Sequence, residues 1–142
     1  MKANYHNILG KQVNLTAPDA VWQLTAAICE SILYFGNCDL IQKPVSPEVR
    51  NIFERPITLS ASGDISFSIG FSSTGLRSGI ILSSAQISSN IESIAHAVRV
   101  HIPLVIFATV ESQAQVNQFS QSGAIVFSAV TSQEALDILL IS

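Results

Sequence analysis

Apolar residues along this chain recur at two different spacings, and the alternation between them sets the expected architecture. Val21, Leu24, Ala27, Ile28, Ser31 and Ile32 fall at helical intervals, which predicts a helix with one buried stripe. Thr16-Ala17-Pro18-Asp19 reads as its start. It offers a capping hydroxyl, a proline suited to the first turn, and a carboxylate at the positive end of the dipole. Gly36-Asn37 reads as its stop, so the helix is expected over Ala20 to Phe35. Ile57-Thr58-Leu59 is a short expected strand. Ser60 to Thr74 follows as a second helix, weakened by Gly63 and Gly70, where glycine permits close approach to a sheet.

The second half is patterned more clearly. Ser78 to Leu82 reads as a buried strand, and Ile87 to Val98 as a helix with Ile87, Ile91, Ile94, Ala95 and Val98 on one face. Leu104 to Ala108 is the strongest strand, entered through Pro103. Ala124 to Phe127 is a further expected strand. Thr131-Ser132-Gln133-Glu134 forms a capping box, from which Ala135, Leu136, Leu139 and Leu140 continue a last helix. Apolar strands alternating with amphipathic helices predict an α/β fold, an open parallel sheet with helices on both faces. Residues 1–15 form a polar lead-in and residues 16–142 one α/β unit. The chain breaks off mid-stripe at Leu139-Leu140-Ile141-Ser142, so the native polypeptide is expected to continue. Pro44 and Pro47 break the pattern over residues 39–56, where Ser46-Pro47-Glu48 opens a short helix toward Phe53.

Composition narrows the function. Apolar residues make up 48% of the chain and charged residues 12%, against roughly 25% charged in typical domains. Such a charge-poor skin suggests that other domains or subunits cover part of the surface. The net charge of −3 and seven scattered Lys and Arg provide no basic stripe for nucleic acid and no polybasic patch for a membrane. The longest apolar run, Ile102 to Ala108, has the length of a strand, far short of the roughly 20 residues of a membrane span. Cys29 and Cys38 are neither a CxxC pair nor a disulfide framework and read as free thiols in a reducing, cytoplasmic compartment.

The chemical motifs are sparse. Gly70 and Gly75 lie at the spacing of a phosphate loop, but Leu76-Arg77 stands where that loop needs Lys and Ser or Thr. His6, His96 and His101 form no HExxH or Cys/His cluster, so no metal site is expected. No GxSxG elbow positions any of the many serines. Glu111, Glu134 and Asp137 are explained by capping and solvation. Asp64, near the start of the second helix, is suited to complementing the helix dipole.

The stretch PITLSASGDISFSIGFSSTGLRSGIILSSAQ, Pro56 to Gln86, resembles the thiamine-pyrimidine-binding domain of pyruvate:ferredoxin oxidoreductases. The pieces that carry it are Ala61-Ser62-Gly63, the small-residue helix to Gly75, Ile80-Ile81-Leu82 and Ser83-Ser84-Ala85-Gln86. His101 to Phe107, Gln121 to Phe127 and Ser132 to Asp137 extend it, so that it covers residues 17–142. In that family a glutamate donates a proton to the aminopyrimidine ring, and Ser62 occupies the matching position here. A hydroxyl does not supply a carboxyl proton. Asp64, two helical positions on, would face about 200° away.

A thiamine-type domain without its glutamate is similar to the N-terminal region of the flavoprotein subunit of fungal-type NADPH sulfite reductases. Ser60-Ala61-Ser62-Gly63 and Gly70-Phe71-Ser72-Ser73-Thr74-Gly75-Leu76 carry that likeness. The resemblance implies a three-layer, thiamine diphosphate-binding-like fold and a noncatalytic structural or assembly role in an enzyme reducing sulfite to sulfide. It implies no cofactor on this domain itself. FAD, FMN and NADPH would bind elsewhere in the parent chain, and the partners would be other domains and a siroheme and iron–sulfur subunit. Two alternatives stand beside it: the pyrimidine-binding domain of a thiamine diphosphate-dependent 2-oxoacid:ferredoxin oxidoreductase, and a small α/β binding module. The ligand-facing edge of an open parallel sheet lies at the carboxyl ends of its strands. Ser60 to Gly63, Ser83 to Gln86 and Thr109 to Ser112 are expected there. Ser62, Gly63, Ser84 and Gln86 are the candidate cofactor-binding residues of a relic pocket, with Ser62-Gly63 the best polar anchor.

Overall fold

The computed structural model describes residues 17–34, 58–60, 64–131, 133–134 and 137–138. The expected helix at Ser46 to Phe53, the lead-in, Ser62 and Gly63 lie outside them. The element order is α1 (Ala17–Ile28), β1 (Ser31–Tyr34), β2 (Thr58–Ser60), α2 (Ser66–Ser73), β3 (Ser78–Leu82), α3 (Ser84–Arg99), β4 (Leu104–Ala108) and α4 (Gln113–Gln121). The four strands are all parallel, in the order β2-β1-β3-β4. The chain is therefore an α/β protein built on a parallel sheet, as its alternating pattern predicts.

β3 shows why the sheet is apolar at its centre. All five of its residues are buried, and it is paired on both sides, as a strand covered on both faces must be. Ile80 and Leu82 point to one face and join Leu33, Ile65, Ile87, Ile94 and Phe119 in the main core. That face receives α2, α3 and α4. The other face is closed against α1 through Gly79. A Cβ at Gly79 would stand 2.4 Å from Thr25 Cγ2 and 3.2 Å from Cys29 Sγ, so only glycine lets α1 approach this closely. The Thr25 hydroxyl donates back to Val21 O at 2.6 Å. Trp22 of α1 also meets Tyr34 of β1 edge-on, with ring centroids 6.1 Å apart.

Several expectations give way here. The first helix does not run to Phe35. It stops at Ile28, and Ser31 and Ile32 belong to β1. Ser31, Ile32 and Leu33 are buried and pair with both β2 and β3, and Tyr34, half-buried, pairs with β3. Two ladders of tertiary pairing outweigh a helical spacing that happened to continue. The second helix begins at Ser66 rather than Ser60, so Asp64 precedes it. Gly70 has open space around it and makes no close approach; that role falls to Gly79. α4 has no counterpart in the sequence pattern, because Gln113 to Gln121 is dominated by Gln, Asn and Ser around Val116 and Phe119. Ala124 to Phe127 forms no strand and is irregular and largely exposed.

The remaining punctuation behaves as expected. Gly75, at φ +86, ends α2 with its N–H on Ser72 O. Glu134 accepts from the Val130 and Thr131 amides, and its own N–H donates to Thr131 Oγ1 at 3.2 Å, which completes the capping box. These bonds hold the Glu134 carboxyl below its ordinary range. The Asp64 carboxylate accepts from the Ser66 amide at 2.8 Å, and the same bond lowers its pKa. Among the described residues, no helix is long and apolar enough to cross a membrane.

Candidate functional site: the carboxyl edge of the sheet

Because all four strands run parallel, Ser60, Ser83 and Thr109 leave the sheet at the same edge. The topological switch lies between β1 and β3, where the chain order reverses direction across the sheet. Two of the four candidate residues, Ser84 and Gln86, are described and stand at this edge in the first turn of α3. Ser62 and Gly63 fall outside the described residues.

The side chains at the start of α3 are occupied. Gln86 turns back toward the N-cap residue three positions earlier, and its Oε1 accepts both the Ser83 amide, at 2.8 Å, and the Ser83 hydroxyl. The Gln86 amide in turn donates to Ser83 O at 3.0 Å. The Gln86 side chain on the Ser83 amide is one arm of a capping box, whose other arm joins the Gln86 amide to the Ser83 side chain, and the box satisfies donors that a helix start leaves open. A glutamine at the third helical position is the local reason.

Ser84 is bound from the other side. Its hydroxyl donates to Glu111 Oε1 at 2.7 Å. The Glu111 amide donates to Gln115 Oε1 at 2.8 Å, and Gln115 Nε2 returns to Ser84 O at 3.2 Å. The result is a ring joining the start of α3 to the loop after β4 and the first turn of α4. Glu111 thus places the protein's own carboxylate beside the positive end of α3, where an anion is most favoured. Thr109, the first residue past β4, donates its amide to Leu82 O at 3.2 Å and ties the loop to β3.

Ser84, Gln86 and Thr109 to Ser112, expected at one edge, stand together there. Glu111 lies within that stretch, but its bond to Ser84 and the part played by Gln115 had no counterpart in the sequence pattern. The S-x-x-Q spacing of Ser83 and Gln86 was the available signal for the cap. The bonds from Ser84 to Glu111 and Gln115 span distant sequence and left no local trace.

The opposite edge holds a second polar feature. Glu30 is buried, and its carboxylate accepts the Arg77 amide at 2.6 Å, while the Glu30 and Ser31 amides both donate to Arg77 O. This pairing anchors the turn before β3 to the turn before β1. Cys29 beside it is a buried thiol whose pKa is pushed up to about 12, chiefly by burial and then by the Glu30 charge. That is the opposite of the lowered pKa a nucleophilic cysteine needs. Among the described residues, no group of three His, Cys, Asp or Glu is arranged to hold a metal ion. No family model matches this chain, and no curated protein matches it.

Proposed function

We propose that this chain is a noncatalytic structural or assembly domain of an NADPH-dependent sulfite reductase flavoprotein, acting in cytoplasmic sulfur assimilation. On this reading its fold is the three-layer, thiamine diphosphate-binding-like one, and the order β2-β1-β3-β4 with helices against both faces supports that. The observation that carries the noncatalytic part is the ring at the carboxyl edge. Gln86 is taken up by the α3 cap, and Ser84 by Glu111 and Gln115. A ligand at this edge would have to displace those bonds and meet the Glu111 carboxylate. The sulfite reductase part rests on the resemblance around Ser60 to Leu76 and on Ser62 at the glutamate position. The charge-poor composition and the exposed Val100, Val110 and Val130 support burial against other domains.

The test is the intact mass and absorbance spectrum of the native polypeptide. A polypeptide well above 15.2 kDa, with flavin bands and a co-purifying siroheme subunit, supports the proposal. An iron–sulfur spectrum with bound thiamine diphosphate overturns it in favour of the oxoacid oxidoreductase. A colourless polypeptide of the size of this chain overturns both and leaves a small α/β binding module.

A further inference from the structure

The outer edge of β4 and the segment after α4 are complementary. Among the described residues no strand pairs with that edge, and all five residues of β4 are only half-buried although the strand is strongly apolar. Ile125, Val126 and Phe127 are exposed, Ile125 to 86%. Among the described residues the chain therefore displays an unpaired strand edge and an unpaired run of strand-forming residues, each a liability in water.

The geometry brings the two close. β3, α3 and β4 form one crossover unit, stepping outward from β1 with α3 on the face that carries the main core. α4 packs on α3 and puts Phe119 into the same core, so it lies on the same face. A second crossover of the same right hand steps outward again, beyond β4. The end of α4 fits that path. Gly123, at φ +87, sits where a Cβ would meet Val98 Cγ1 at 3.3 Å. Val98 lies at the end of α3 that feeds, through Pro103, into Leu104. The chain thus leaves α4 at the level where a strand parallel to β4 begins.

We propose that the outer edge of β4 is the docking site for residues 124–128 of the same chain, which close onto it as a fifth parallel strand. In the register set by that starting point, Ala124 lies opposite Leu104 and Ser128 opposite Ala108. Strand alternation then puts Ile125 and Phe127 beside Val105 and Phe107 on the α1 face, and Val126 beside Ile106 on the face of α3. The irregular conformation is the open state of this segment, with Gly123 as its hinge. The inference is independent of the sulfite reductase reading and needs no flavin or partner subunit.

Amide hydrogen exchange on the 142-residue chain, followed residue by residue by NMR at two protein concentrations, tests it. Alternate amides across 124–128 should exchange about 100-fold or more below the unstructured rate, equally at both concentrations. Ile125→Asp should abolish that protection while the amides of β3 keep theirs. Exchange at the unstructured rate overturns the proposal. Protection that fades on dilution also overturns it, since that would mark pairing with a second copy. Protection of 124–128 that survives Ile125→Asp overturns the register.

Discussion

The Ser84 hydroxyl donates to the Glu111 carboxylate across 27 positions of sequence. With Gln115 it makes a single polar unit of the α3 start, the β4 exit and the α4 start. Because the bond is exposed, its net contribution is modest, about 0.5–1 kcal/mol. Glu111→Ala should lower stability by that amount in urea denaturation at neutral pH. Glu111→Gln keeps an acceptor oxygen and should fall closer to the wild type. A loss above about 2 kcal/mol for the alanine variant would mean that the ring holds the edge together far more strongly than exposed hydrogen bonds do.

Gly79 and Thr25 set how closely α1 approaches the sheet. Gly79→Ala places a Cβ 2.4 Å from Thr25 Cγ2, and overpacking of this kind costs about 1–3 kcal/mol. Thr25→Ser removes that methyl and keeps the hydroxyl that bonds Val21 O. The double variant should therefore recover part of the loss, read as a coupling energy in a double-mutant cycle. Purely additive effects would show that α1 shifts away as a body.

Four buried serine hydroxyls, of Ser31, Ser68, Ser72 and Ser78, have no hydrogen-bond partner among the described residues. Ser31 and Ser78 are register partners in β1 and β3, and α2, which carries the other two, packs over both strands. Serine serves there as a small residue, and its hydroxyl is a desolvated burden. Ser78→Ala should leave the thermal midpoint unchanged or raise it, by an equivalent of up to about 1 kcal/mol. A clear drop would show that an internal water satisfies the hydroxyl.

β3 and β4 were legible in the sequence to the residue, because short apolar runs, Ile80 to Leu82 and Leu104 to Ala108, set off by Gly79 and by Pro103 and followed by polar residues, favour a buried strand. The Glu134 cap and the Asp64 role were legible because capping is local chemistry. β1 was not, since Ser31-Ile32-Leu33-Tyr34 continues a helical spacing and becomes a strand only between two neighbours. α4 was hidden by its polarity. The close approach fell at Gly79 rather than Gly70, because only the opposing helix decides which glycine is crowded. At the carboxyl edge the positions of Ser84 and Gln86 followed from the strand order, while their engagement by Ser83, Glu111 and Gln115 did not.

His101 terminates α3 in a left-handed conformation, with φ 57. Its amide donates to Val98 O and the Ile102 amide to Ala97 O, the paired bonds of a Schellman motif. Glycine is the usual residue at that position, because any side chain costs about 1 kcal/mol there. His101→Gly should raise stability by roughly 0.5–1 kcal/mol, less the extra freedom glycine gives the unfolded chain. Its calorimetric midpoint should lie above the wild type, and a lower one would mean that the imidazole makes a compensating contact.

Cys29 gives the chain an alkaline limit. Its folded pKa of about 12 stands above the ordinary value of 9.0, so the folded state retains a proton that the unfolded state releases. Stability from this group is fully present below pH 9.0 and is lost as the pH rises toward 12. Denaturation midpoints should therefore fall with rising pH above 9, and Cys29→Ala should flatten that dependence. The same protonation predicts chemical inertness. At pH 8 an alkylating reagent should leave the Cys29 peptide unmodified in the folded chain and modify it in denaturant, as read by peptide mass. Rapid labelling of Cys29 in the folded chain would show that α1 opens away from Gly79 on the timescale of the reaction.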